Sequence, residues 1–402
     1  MKTSQLGRRD FLIGLAGVTA AAATRPGFAA TSAEGFGEPR RRSQERSRTA
    51  LPTFMYVGSF TAKDAGHGEG LSVYRRHGES DPWTLVQLLN EIADPSFLIV
   101  ERHGRFLYSA HGDGTHATAY RIDQVTGRLT VLNRQSTGGT NGVHLAIDGT
   151  GRFLIVANYA TGTVAVLPIN PDGSLAARSD LATLSGTPGP HRTQQDRSHP
   201  HQCPFDRTGR VVVVPDKGLD KVFVFHLDTA RGTLVPGTPP DVASRAGAAP
   251  RHADFHPARP YVYAINELDS TIATYQLDPD KGALKPLQVI TTLPTSHTGN
   301  NSGAEIVVAP SGRFLYGSNR GHDSIAIFAV DPSTSLLAPV GWESTQGRTP
   351  RFFALDPAGT HLYAANQSSD TVVIFRVDQT TGTLTPTGEI VKVATPTTIA
   401  FR

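Results

Sequence analysis

The sequence predicts an all-β fold, a single seven-bladed β-propeller of four-stranded antiparallel blades closed by a C-terminal strand. Three observations predict it. A turn followed by Gly-Arg and an aromatic or aliphatic run recurs along the chain at spacings of about 47–58 residues, close to the repeat length of propeller blades. Each copy carries four short β-rich runs punctuated by Gly, Pro, Asp and Asn. The first copy lacks its leading strand, and the last residues of the chain resemble the missing piece. Composition agrees. Of 402 residues, 38% are hydrophobic and 18% charged, enough for a large buried core, and 40 Gly with 28 Pro favour turns over long helices.

At the N-terminus, Arg8-Arg9-Asp10-Phe11-Leu12 precedes an Ala-rich apolar run from Ile13 to Ala23, then the small residues Gly27, Ala29 and Ala30. This pattern reads as a twin-arginine export signal over residues 1–30, because the apolar stretch is short for a membrane span of about 20 residues. It implies a periplasmic or secreted protein, the twin-arginine export machinery as a partner, and no stable membrane insertion once the signal is removed. Residues 31–51 read as a basic disordered linker, and residues 52–402 as the propeller. The first fifty residues hold nine Lys/Arg against four Asp/Glu, so an overall charge of +3 leaves the body at −2. A nearly neutral body excludes a nucleic-acid groove.

The repeats begin with Phe54-Met55-Tyr56-Val57, which has no turn before it. They continue through Gly104-Arg105-Phe106-Leu107-Tyr108, Gly151-Arg152-Phe153-Leu154-Ile155 and Gly209-Arg210-Val211. Arg259-Pro260-Tyr261, Gly312-Arg313-Phe314-Leu315-Tyr316 and Gly359-Thr360-His361-Leu362-Tyr363 complete the seven. The segment Pro396 to Arg402 is expected to pair beside the first copy as its innermost strand, removing a free sheet edge. Cys203, the sole cysteine, excludes a disulfide framework and reads as a small buried residue in the first strand of its repeat. No Gly-Xaa-Ser-Xaa-Gly elbow or nucleotide-binding glycine loop occurs.

Counting from the turn locates candidate functional residues. Eight residues before it stand Ser96, Val143, His201, Arg251, Ala304 and Arg351; eight after it stand Gly112, Tyr159, Lys217, Glu267, Arg320 and Gln367. The two strands are antiparallel, so both positions lie at one rim. Charged groups at the inner end of a blade must face the channel or pair with each other. His201, Arg251, Glu267, Arg320 and Arg351 are therefore expected to converge at one mouth. An excess of guanidinium over carboxylate there suits an anionic ligand and proton transfer; an inter-blade salt-bridge network is the structural alternative. One place earlier lies a polar ring of His111, Asn158, Asp216, Asn266, Asn319 and Asn366, whose Asn members read mainly as satisfying turns. The longest irregular stretch, Ser185 to Pro200, leads into Ser198-His199-Pro200-His201 and is expected to overhang a binding face. His199 and His201 lack an evident third ligand, so acid–base work or ligand contact is preferred to a metal, and no metal or organic cofactor is expected.

Several stretches make the chain recognisable: Ser198-His199-Pro200-His201, Pro250-Arg251-His252 with Phe255-His256-Pro257, Asn266-Glu267-Leu268, Ser318-Asn319-Arg320, and Asn158-Tyr159 before Gly162. Over residues 52–402 it resembles the seven-bladed propeller lactonases, which include one type of 6-phosphogluconolactonase and the fungal 3-carboxy-cis,cis-muconate lactonizing enzyme. The resemblance implies catalytic roles for His201, Arg251, Glu267 and Arg320. His199, Arg351, Lys217 and Asn158 are the candidate substrate-binding residues around them. The expected reaction is hydrolysis of a small anionic sugar lactone or carboxylated lactone. His201 or Glu267 would act as base with the other as acid, and the arginines would hold an anion and the oxyanion. A lactonizing enzyme and an exported, non-catalytic binding propeller are the alternatives.

Overall fold

The structure, a computed structural model, describes residues 53–402 apart from Ser80. The expected export signal (1–30) and linker (31–51) lie outside the described residues. Seven antiparallel sheets follow one another around a ring, six with four strands and one with three. Closure is as expected. The strand Pro396–Phe401 lies innermost beside Thr53–Ser59, with Met55 opposite Phe401 and Val57 opposite Ile399. Two further bonds lock the end, Phe54 N–H to Arg402 O at 2.8 Å and Arg402 N–H to Phe54 O at 2.9 Å.

The repeated Gly-Arg-Phe-Leu-Tyr pattern has a packing reason. Its Phe lies on a bare glycine in the next blade, at the turn between the third and fourth strands. A Cβ on Gly127, Gly173 or Gly382 would fall 2.1–2.4 Å from a ring atom of Phe54, Phe106 or Phe314, and all three glycines have positive φ. The Tyr hydroxyl donates to the carbonyl at the same turn, Tyr108 to Gly173 O at 3.0 Å and Tyr316 to Gly382 O at 2.9 Å. The Arg covers the outer face of its Phe, with Arg105 5.2 Å from the Phe106 centroid and Arg313 5.5 Å from that of Phe314. The aromatic pair thus fastens blades one, two and six to their neighbours.

Two features of the inner strands position the site. First, almost every inner strand carries a bulge at the place eight residues before its turn: the register skips at Ser96, Val143, Arg251 and Arg351, and over Ala304 and Glu305. A bulge lets consecutive residues face the same side. A second ring therefore stands one residue deeper, at Phe97, His144, His252, Glu305 and Phe352. Contacts between them fill the axis: Phe97 lies 4.2 Å from the His144 ring and 6.0 Å from Phe352, and His144 lies 6.0 Å from His252.

Second, the fourth blade departs from the expected four strands. Residues 200–205 make only isolated bridges, Pro200 with Asp216 and Phe205 with Val212. Cys203 is buried there but is not part of a strand. Pro204 has no N–H to give the ladder, and the Cys203 N–H turns to His144 Nδ1 at 3.3 Å. This loosened segment carries His201.

Candidate active site

A cavity of about 220 Å³ opens at one mouth of the channel, lined by Tyr159, His201, Lys217, Glu267, Arg320 and Arg351 among others. Glu267 is its electrostatic centre. Its backbone is pinned at the end of the second strand of blade five, N–H to Ala249 O at 2.8 Å, with Gly303 N–H donating to its carbonyl at 3.0 Å. Oε1 accepts from Lys217 Nζ at 2.8 Å; Oε2 lies 3.1 Å from Arg251 Nε and 3.3 Å from Arg320 Nη2. The Arg251 contact is a charge contact without hydrogen-bond geometry, since Nε has no bonded partner. Arg251 instead donates from Nη1 to Ala304 O at 2.7 Å, and Arg320 from Nη2 to Gly303 O at 2.9 Å. Burial raises the Glu267 carboxyl, but Arg320, Lys217 and Arg251 outweigh it and hold the group well below the usual carboxylate range.

Arg351 differs from the other cations. Among the described residues its guanidinium has no hydrogen-bond acceptor and no carboxylate partner; it lies over Phe60, 5.1 Å from the ring centroid. Burial, with Arg320 nearby, lowers its pKa to about 10, so it remains charged at neutral pH.

His201 reaches the cavity from the irregular segment. Burial, together with Arg251, His252, Arg351 and Lys217, pushes its pKa well below the ordinary histidine value, so it is neutral near pH 7. Nδ1 lies 3.1 Å from His252 Nε2, whereas Nε2 has no partner among the described residues. Tyr159 crosses it edge-on at 5.5 Å.

His201, Arg251, Glu267, Arg320, Lys217 and Arg351 thus come together as expected. His199 and Asn158 do not. His199 stacks on Tyr159 at 4.3 Å, away from the cavity lining, with Nε2 2.8 Å from Asp196 Oδ1 and Nδ1 3.0 Å from Tyr159 O. Both ring nitrogens are occupied, so it supports Tyr159 rather than a substrate or a metal shared with His201. Asn158 is fully buried and donates to Thr163 Oγ1 at 3.2 Å across its hairpin, as Asn266 does to Thr271 at 2.8 Å. The long loop supplies Gln194, whose Oε1 takes a 2.8 Å bond from Lys217 Nζ.

Three further residues stand at or below the site. Tyr159 holds a counted position and lines the cavity. His252 and Glu305 lie seven residues before Arg259 and Gly312, a place strict strand alternation turns away from the axis. A charged or His residue recurring there was the available signal.

Comparison with known proteins decides the family. Residues 54–401 match the family model described as Lactonase, 7-bladed beta-propeller. The chain belongs to that lactonase family. Among curated lactonase relatives, the 6-phosphogluconolactonase of Bacillus subtilis (strain 168) is 35% identical over 75% of this chain and 84% of its own. That of Formosa agariphila is 34% identical over 75% and 86%. Among solved structures, the periplasmic gluconolactonase of Pseudomonas aeruginosa superposes with a TM-score of 0.80 at 30% identity, covering 87% of this chain and 99% of its own.

Proposed function

We propose that the chain hydrolyses a small anionic lactone, with His201 as base and the buried cations as anion and oxyanion holders. The observation that carries this is the free cation at the mouth: Lys217, Arg251 and Arg320 gather on Glu267; Asp94 and Asp113, which also line the cavity, accept from Thr61, Ala62 and Asn141; and Arg351 has no hydrogen-bond or carboxylate partner among the described residues. Arg351 then takes the substrate's carboxylate or phosphate. Lys217 and Arg320, held in place by Glu267 with Arg251 behind it, face the oxygen that becomes negative when water adds to the lactone carbonyl. Neutral His201 offers Nε2 to that water. Glu267 is a poor acid because it holds no proton near neutrality, so His201 also returns the proton to the departing alkoxide. The family membership and the gluconolactonase and 6-phosphogluconolactonase names of the relatives support lactone chemistry.

We also place the enzyme outside the cytoplasm, on the twin-arginine pattern at Arg8-Arg9. A periplasmic relative supports that location. A phosphorylated sugar lactone arises in the cytoplasm and does not cross the membrane passively. An extracytoplasmic lactone bearing a carboxylate fits both the location and the arginines.

The test is base uptake at constant pH, above the spontaneous rate, on a panel containing glucono-1,5-lactone, its 6-phosphate and carboxylated lactones. Arg351→Gln should raise KM for the charged members about tenfold or more, with a small effect on the neutral one. No hydrolysis of any member by the wild type would overturn the reading.

A further inference from the structure

Below the cavity, the deeper ring forms a continuous chain of buried groups that lactone binding does not use. His201 Nδ1 lies 3.1 Å from His252 Nε2, and His252 Nδ1 lies 2.9 Å from Glu305 Oε1. His252 and Glu305 side chains are 3% and 4% exposed, so water does not substitute for either contact. Glu305 is held in place: its N–H donates to Ser318 Oγ at 2.9 Å, and Ile306 N–H donates to Oε1 at 3.0 Å. Oε2 is buried with no partner among the described residues. Glu305 also lines a second cavity of about 420 Å³, with Asp254, Phe97 and Phe352, away from the His201 mouth.

We propose that His252 and Glu305 are positioning residues forming a proton relay that sets the tautomer of His201 and stores the proton it removes from water. This rests on reading His201 as the base. With Glu305 ionised, His252 donates Nδ1–H to the carboxylate and accepts Nδ1–H of His201 at Nε2. His201 Nε2 then carries a lone pair towards the substrate. With Glu305 protonated, every bond in the chain reverses, and His201 Nε2 carries a proton instead.

The relay answers an electrostatic difficulty. A base that kept its proton would become an imidazolium beside Arg251, Arg351 and Lys217. The relay neutralises a buried carboxylate instead. Water gives its proton to His201 Nε2 as its oxygen bonds to the carbonyl carbon. His201 passes Nδ1–H to His252, and His252 passes Nδ1–H to Glu305. When the ring C–O bond breaks, the transfers reverse and His201 Nε2–H protonates the alkoxide. The new carboxylic acid later loses its own proton to solvent.

The charged surroundings favour this use. Burial pushes the Glu305 carboxyl up, with Arg251 and Arg351 pulling it down less strongly. Burial and the cations Arg251, Arg351 and Arg320 press His252 well below the ordinary value against an opposing Glu267, and His144, on its other side, is likewise lowered by burial. Asp254, raised to about 7 by burial and by Glu305 among other effects, and Asp356 also line the lower cavity. Of these carboxyls, Glu305 is the one bonded to His252.

Long-range 1H–15N correlation of the imidazole nitrogens reads the relay without any substrate, with His201 assigned from His201→Asn. In the wild type, His201 should be the Nδ1–H tautomer at high pH and shift to Nε2–H as pH falls through the raised Glu305 ionisation. In Glu305→Gln the amide oxygen, kept at the Oε1 place by Ile306 N–H, still accepts from His252, so His201 should stay Nδ1–H throughout. One unchanging tautomer from about pH 5 to about pH 10 in the wild type would overturn the relay even if no variant folds. On glucono-1,5-lactone, Glu305→Gln should lower kcat about 100-fold with KM within about twofold and lose the acid limb of the pH profile. Glu305→Asp should recover part of the rate. Full activity with an unchanged profile in Glu305→Gln would also overturn it. An inactive wild type that still shows the tautomer shift would count against lactone hydrolysis and leave the relay standing.

Discussion

Glu267 illustrates how one residue serves stability and chemistry together. Alone, a buried carboxylate is costly; with Lys217, Arg251 and Arg320 against it, the group becomes the counter-charge that lets three cations stay buried. Glu267→Gln should therefore destabilise the fold by about 3 kcal/mol near neutral pH, because it leaves those cations unpaired. The effect has a defined pH dependence. The folded-state pKa lies below the unfolded value, so the stabilisation is complete above the unfolded value of about 4.3 and is lost as pH falls through the folded one. Denaturant titrations of wild type and variant should converge on acidification below about pH 4. A difference that widened there would contradict an ionised Glu267. His201 and Arg351 show the same dependence on surroundings: burial beside like charges keeps one neutral and leaves the other as the unpaired cation of the mouth.

At the scale of elements, the inner strands do the positioning. Their bulges turn two consecutive residues towards the axis, so Arg251 serves the upper mouth while His252 joins the chain beneath it. The broken inner segment of blade four carries His201 for a different reason, Pro204, which has no N–H for its ladder. The strand Pro396–Phe401 supplies the innermost place of blade one, and Thr397 Oγ1 donates to Gly58 O at 3.1 Å. Its removal would expose the inner edge of Thr53–Ser59 and open the contact with blade two, where Leu98 N–H meets Thr398 Oγ1 at 3.3 Å. Truncation before Pro396 should lower the melting temperature by about 10 °C or more, or abolish soluble yield. Unchanged melting would show that the ring holds without its closing strand.

For the whole molecule, a ring closed by its own two ends needs no disulfide, and the sole cysteine is buried beside His144 with its thiol pKa pushed up by burial. That suits a protein exported already folded, the route proposed from Arg8-Arg9. Replacing both, Arg8→Lys with Arg9→Lys, should retain the full-length protein in the cytoplasmic fraction of its native host in place of the mature protein in the periplasmic one. Full-length cytoplasmic protein in the unaltered strain, unaffected by the double change, would remove the export reading and restore a phosphorylated sugar lactone as the preferred substrate.

The number of blades, their strand rhythm and the closing strand were legible in the sequence, because each rests on local turn chemistry repeated along the chain. Counting from the turns also brought Arg251, Glu267, Arg320, Lys217 and Arg351 to one rim, since antiparallel pairing makes equal offsets neighbours. The same count could not see the bulges. A bulge is decided by how seven sheets crowd around one axis, and it moved His252 and Glu305 into the channel against simple alternation. Nor could adjacency in sequence reveal that His199 turns behind Tyr159 while His201, two residues on, faces the cavity. Only the tertiary structure decided which of the buried charges are paired and which is free, because pairing depends on distances between blades far apart in the chain.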